Sequence, residues 1–125
     1  MRKARLEKNM THRELSDATG LSVTAISNLE RDRFKPTMPN LRKLSTVLGV
    51  PISYLGCFET LPENTLGERI RKARLYHGYS KKEFAEIIGV DVKSIQSWEK
   101  DLRIPIDEYL SKIREYFVIL DRPFQ

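Results

Sequence analysis

Among 125 residues the only cysteine is Cys57, so no intrachain disulfide can form. Nothing is spaced like the paired Cys and His that hold a structural zinc, and a reducing compartment suits such a chain. The longest unbroken apolar run, Phe117 to Leu120, falls far short of the roughly 20 residues that cross a bilayer. The Met-Arg-Lys start leads into no apolar stretch of the kind a secretory signal needs. With 6 Gly and 6 Pro the chain is neither collagen-like nor low-complexity. Its 40% hydrophobic content is too high for a disordered chain. A soluble, cytoplasmic, globular protein is expected, with no membrane association.

Catalytic furniture is equally scarce. His12 and His77 are the only histidines, and neither has a Cys or carboxylate partner that recurs beside it. Cys57 has no evident base, and no paired carboxylates converge. No catalytic residue, metal, cofactor or small-molecule substrate is therefore expected. The chain does have positive charge: 22 Lys and Arg against 17 Asp and Glu give a net charge of +5. Such an excess marks either a nucleic-acid footprint or a solvated helical surface.

The sequence repeats itself. Arg2-Lys3-Ala4-Arg5-Leu6 returns as Arg71-Lys72-Ala73-Arg74-Leu75, and the same offset carries on without a gap. It matches Glu14 to Glu83, Gly20 to Gly89, Val23 to Val92, Ile26 to Ile95 and Glu30 to Glu99. Asp32, Pro36, Leu41 and Lys43 likewise meet Asp101, Pro105, Leu110 and Lys112. Two copies of one fold follow, over 1–56 and 65–125, joined by a linker at 57–64 that carries Pro62 and no helical periodicity. Copy one is the more basic.

Each copy reads as helices. Thr11-His12-Arg13-Glu14 and Ser80-Lys81-Lys82-Glu83 have the form of a capping box, which predicts helices over 12–19 and 81–88. Gly20 and Gly89 stop them, because a left-handed residue is cheapest without a Cβ. Ser22 and Asp91 then cap a further helix that presents Ile26 and Leu29, or Ile95 and Trp98, on one face. This is a helix-turn-helix arrangement. A basic helix precedes the pair, over 2–9 or 66–77. After Pro36 or Pro105 comes a helix through Leu41, Leu44 and Leu48, or Leu110, Ile113 and Phe117. Copy one adds a short fifth helix over 52–55, for which copy two has only a short tail. Trp98 and Phe84 stand where copy one has Leu29 and Leu15, so they are expected in the core.

These residues resemble the phage repressor and Cro-type helix-turn-helix family. In copy one the likeness runs through Arg5, Lys8, Thr11, Glu14-Leu15-Ser16, Gly20-Leu21-Ser22, Ile26-Ser27 and Leu29-Glu30-Arg31. Copy two looks like the same pattern, ending Ile95-Gln96-Ser97-Trp98-Glu99-Lys100. The resemblance spans nearly the whole chain and implies an all-α protein of two tandem lambda-repressor-like domains, each of four to five helices. In each, the third helix would enter the major groove while the second crosses the backbone. It further implies that Arg5 with Glu30, and Arg74 with Glu99, form partly buried structural ion pairs.

With Ile26 and Leu29 facing inward, a turn of about 100° per residue puts Thr24, Ser27, Asn28 and Arg31 on the opposite side, with Val23 leading. Val23, Thr24, Ser27 and Asn28 are the candidate base contacts: Val and Thr methyls can meet a thymine methyl, and Asn can pair with adenine. In copy two the corresponding set is Val92, Lys93, Gln96 and Ser97, where Lys93 suits guanine and Gln96 adenine. If both copies read, the composite site departs from a palindrome. For phosphate the candidates are His12, Arg13, Arg31, Arg33, Lys35 and Arg42, with Lys81, Lys82, Lys100 and Arg103 in copy two.

The leading expectation is a transcriptional regulator, in the first place a repressor, that binds double-stranded DNA by sequence. The alternative keeps the fold but makes copy two an interaction module, for self-association as a homodimer or for another protein, as an antitoxin or a coactivator would be. The apolar tail at Ile119, Leu120, Pro123 and Phe124 motivates it.

Overall fold

The computed structural model describes residues 1–33 and 35–121. All regular structure among them is helical, in two compact units: Met1–Gly56 and Cys57–Gln125. Segment 57–64, read above as a linker, groups with the second unit. There Glu63 Oε2 lies 2.8 Å from the Nζ of the buried Lys72.

The first unit contains α1 (Arg2–Glu7), α2 (His12–Thr19), α3 (Val23–Glu30), α4 (Met38–Leu48) and α5 (Ile52–Leu55). Helix α1 is shorter than the 2–9 expected, because Asn9 takes a left-handed conformation at φ 55°, which an Asn tolerates better than most residues. Helix α2 starts on a complete capping box. The Glu14 amide donates to Thr11 Oγ1, and the Thr11 amide donates to Glu14 Oε1, both at 3.1 Å. It ends at Gly20 with φ +80°. The Ser16 hydroxyl donates to the Leu21 carbonyl and ties down the turn into α3, which the Ser22 side chain caps at the Ala25 amide. The core takes a contribution from each of the first four helices: Ala4, Leu15, Ile26 with Leu29, and Leu44 with Leu48. Burial of each large side chain contributes about 1.5–3 kcal/mol.

The second unit contains α6 (Leu66–His77), α7 (Lys81–Ile88), α8 (Val92–Glu99) and α9 (Asp107–Phe117), then one 3-10 turn over Val118–Asp121. Helix α7 repeats the capping box with Ser80 and Glu83 and ends at Gly89 with φ +89°. Helix α6 has a capping box of its own, Thr65 with Glu68. The Asp101 carboxylate, from the loop after α8, also accepts from the Thr65 hydroxyl at 2.6 Å and the Gly67 amide at 2.8 Å. A Cβ at Gly67 would run into the Trp98 carbonyl and Asp101, so α6 can approach that loop only as closely as a glycine allows.

This core is larger and more aromatic. Phe84, Trp98 and Phe117 stand where the first unit has Leu15, Leu29 and Leu48, beside Ile70, Ile88, Ile95 and Ile113. Leu110, expected with them, is only half-buried. His77 belongs to this packing: its Nε2 lies 3.1 Å from the Tyr116 carbonyl, and its ring meets that of Tyr116 edge-on at 5.1 Å. Of the apolar tail, Ile119 and Leu120 are half-buried, Leu120 against the core, and Pro123 and Phe124 lie outside the described residues.

Candidate nucleic-acid interface

Burial on α3 divides along its two faces. Ile26 is 0% exposed and Leu29 9%, whereas Thr24 is exposed and Val23, Ser27 and Asn28 are half-exposed. Helix α8 repeats the division: Ile95 and Trp98 are buried, Lys93 and Gln96 exposed, Val92 and Ser97 intermediate. Each helix thus anchors through its apolar pair and leaves a short polar row accessible to a ligand.

What fixes α3 is a bidentate ion pair. Arg5 donates to Glu30 from Nε at 2.8 Å and from Nη2 at 3.1 Å, and its Nη1 donates to the Met10 carbonyl at 2.8 Å. One side chain on α1 therefore holds both the turn into α2 and the C-terminal end of α3. Arg74 does the same, reaching Glu99 at 2.7 and 3.0 Å and the Tyr79 carbonyl at 2.9 Å. Paired forks of this kind give fixed orientation as well as energy.

His12, at the start of α2, sits with Nε2 3.2 Å from Glu30 Oε1 and is half-buried. Desolvation pushes the Glu30 carboxyl upward, but hydrogen bonds from Arg5 and His12 and the charges of both outweigh it. Glu30 therefore lies below its ordinary range. In the second unit Lys81 occupies the position of His12 and is half-buried. Arg2, Arg5, His12, Ser27, Glu30 and Arg31 line one cleft of about 240 Å³ where α1, α2 and α3 converge. Arg2 was not among the candidate contacts; its recurrence as Arg71 was the signal available.

Arg13, Arg31, Arg33 and Lys35 are exposed and Arg42 half-buried in the first unit; in the second, Lys82, Lys100 and Arg103 are exposed. The loop after the third helix begins in the same way in both copies. The Arg33 amide donates to the Asn28 carbonyl and the Leu102 amide to the Ser97 carbonyl, each at 2.9 Å, and Asp32 and Asp101 sit at φ 55° and 59°. Its side chains differ: Arg33, Lys35 and Thr37 are replaced by Leu102, Ile104 and Ile106, all three exposed. Sequence reading missed this strip because it paired only the basic residues of the two loops. Among the described residues no group of three His, Cys, Asp or Glu is placed to hold a metal ion, and no helix is long and apolar enough to cross a membrane.

The family model described as helix-turn-helix matches the chain twice, over residues 1–55 and 70–117. A relative, the immunity repressor protein of Bacillus phage phi105, is 28% identical over 98 residues, which are 78% of this chain and 58% of the relative. The chain thus spans little more than half the length of that protein. No solved structure matches at a comparable level.

Proposed function

The chain belongs to the helix-turn-helix family, and from that premise we propose that it binds double-stranded DNA by sequence through α3 in the major groove and acts as a transcriptional repressor. The observation that carries this reading is the division of α3, with Ile26 and Leu29 held in the core and Thr24, Ser27 and Asn28 left accessible. Asn28 has the donor and acceptor to pair with adenine N6 and N7, and the methyls of Val23 and Thr24 suit thymine. Arg13, Arg31, Arg33, Lys35 and Arg42 supply phosphate contacts that set register and carry the salt dependence. His12 takes part through Glu30, by holding the start of α2 to the end of α3. A repressor works by occupying its site, which needs no reaction and no cofactor, and repression is also what the name of the phage relative describes of that protein.

In the second unit Val92, Lys93, Gln96 and Ser97 offer a different reading face, flanked by Lys81, Lys82, Lys100 and Arg103. If α8 also reads, the site bound by one chain is asymmetric. A second reading makes this unit an association module, and the apolar loop of Leu102, Ile104 and Ile106 favours it, since the first two replace the cations Arg33 and Lys35 and the third replaces Thr37. Alanine at Lys93, Gln96 and Ser97 separates the two. Lost affinity for a selected site supports α8 as a reader; unchanged affinity and salt slope support the module.

A further inference from the structure

Helix α6 buries side chains on both its sides. Ile70 lies in the core, fully buried. At about 100° per residue, Lys72 and Leu75 fall roughly 160° and 140° round the helix from it. They should face outward, yet each is only 8% exposed. The repeat supplies the control. Lys3 and Leu6 are the same residue types at the same places on α1, but Lys3 is exposed and Leu6 is 52% exposed. Since the two helices share these residues, the burial comes from what lies over α6.

Segment 57–64 reaches that face. Glu63 Oε2 stands 2.8 Å from Lys72 Nζ, which also lies 5.9 Å from the centre of the Tyr76 ring one turn on. A buried ammonium needs such a partner, because leaving water without one is costly. Burial pushes the Tyr76 hydroxyl above its ordinary pKa; Lys72 opposes this, and the charges of Glu59 and Glu63 add to it. Both carboxylates of the segment are therefore close to this face. The segment is also folded on itself. Phe58 and Leu61 are half-buried, the Leu61 amide donates to the Phe58 carbonyl at 3.1 Å, and the Asn64 amide donates to Glu68 of α6 at 3.1 Å.

We infer that 57–64 is a strap clasped to the outer face of α6 by Glu63 and Lys72, and that the clasp limits the separations of the two half-sites that one chain can occupy. The inference rests on the reading that α3 and α8 both bind DNA. A free coil of eight residues would reach about 27 Å and adapt to many separations. With the clasp closed, only 57–62 run between the first unit and Glu63. Their reach is about 20 Å at most, and the turn from Phe58 to Leu61 takes up part of it. Each base pair inserted between half-sites moves the second by about 3.4 Å along the duplex and about 34° around it. Once a link cannot span its two sites, the gain from joining the readers is lost. Glu63 and Lys72 thus determine specificity for spacing without touching a base.

The test is fluorescence anisotropy of the full chain on duplexes that carry the two selected half-sites at spacings stepped by one base pair. The wild type should show one optimum, with affinity falling about tenfold or more within two steps of it. Glu63→Lys, which sets a like charge against Lys72, should flatten the profile to within about threefold while keeping its helical circular dichroism; Glu63→Gln should flatten it less. A nitroxide on Thr60→Cys, in a Cys57→Ser background, reads the strap without DNA. Its spectrum should be immobilised with Glu63 in place and mobile in Glu63→Lys. A mobile label with Glu63 present, or an equally sharp profile in Glu63→Lys, overturns the inference. So does a wild type indifferent to spacing although alanine at Lys93, Gln96 and Ser97 weakens its binding. An immobile label beside an affinity that neither spacing nor those alanines alter overturns the reading of α8 beneath it, and the inference with it.

Discussion

Arg5 and Glu30, 25 residues apart, meet through two hydrogen bonds, with their side chains 9% and 6% exposed. That contact fastens α1 to α3, and Arg74 with Glu99 repeats it between α6 and α8. Removing one partner leaves a buried charge unpaired. Arg5→Ala is expected to destabilise the first unit by about 3–5 kcal/mol, and Arg74→Ala the second. Urea denaturation followed by circular dichroism measures this. Replacing both partners together, as Arg5→Met with Glu30→Leu, should cost much less, since no orphaned charge remains.

The low-lying Glu30 carboxyl sets a pH dependence of known sign. A carboxyl whose folded pKa is depressed stabilises the fold above its unfolded value, ordinarily 4.5, and loses that contribution as pH falls through the folded value. The stability gap between wild type and Glu30→Gln should therefore be full at neutral pH and close as the solution is acidified below the ordinary carboxylate range. Urea midpoints of the two proteins across pH check it; a gap that widens in acid would contradict it.

Ile26 and Thr24 sit two positions apart on α3 and should fail in different ways. Ile26→Ala opens a cavity in the core and is expected to cost about 2–5 kcal/mol of stability. Thr24→Ala should leave stability within about 0.5 kcal/mol and lower affinity for a selected site. Thermal melts and fluorescence anisotropy, run on both variants, separate the effects.

Arg33 and Lys35 are exposed on the loop after α3 and are proposed to contact phosphate. Alanine at either should weaken binding by similar factors across different DNA sequences and reduce the slope of log K against log salt by about 1. A loss confined to one sequence would reassign the residue to a base.

Much of this fold was legible because short-range signals agree with one another. Thr11 with Glu14, Ser80 with Glu83, Gly20 and Gly89 each mark a helix end through a local rule, and the repeat let either copy check the other. The buried faces of α3 and α8 followed from helical spacing alone. Less legible were contacts decided by tertiary geometry. His12 reads in the sequence as a phosphate contact at a helix start, yet Glu30 stands 3.2 Å away, brought there by the crossing of α2 and α3. The Asp101 bonds to the start of α6 join residues 34 and 36 apart, beyond any local pattern. The exposed strip at Leu102, Ile104 and Ile106 was hidden because only the basic residues of the two loops were compared, and exposure is not written in a sequence.

Sequence-specific binding depends most directly on what α3 presents outward. Selection of bound sequences from a random DNA pool, run with the full chain and with Thr24→Ala plus Asn28→Ala, tests it. The wild type should enrich one defined motif, and the variant, still folded by circular dichroism, should lose discrimination at the positions Thr24 and Asn28 are proposed to contact, by about 1–3 kcal/mol for a bidentate pair. Enrichment of the same motif with the same strength by both proteins would contradict the account.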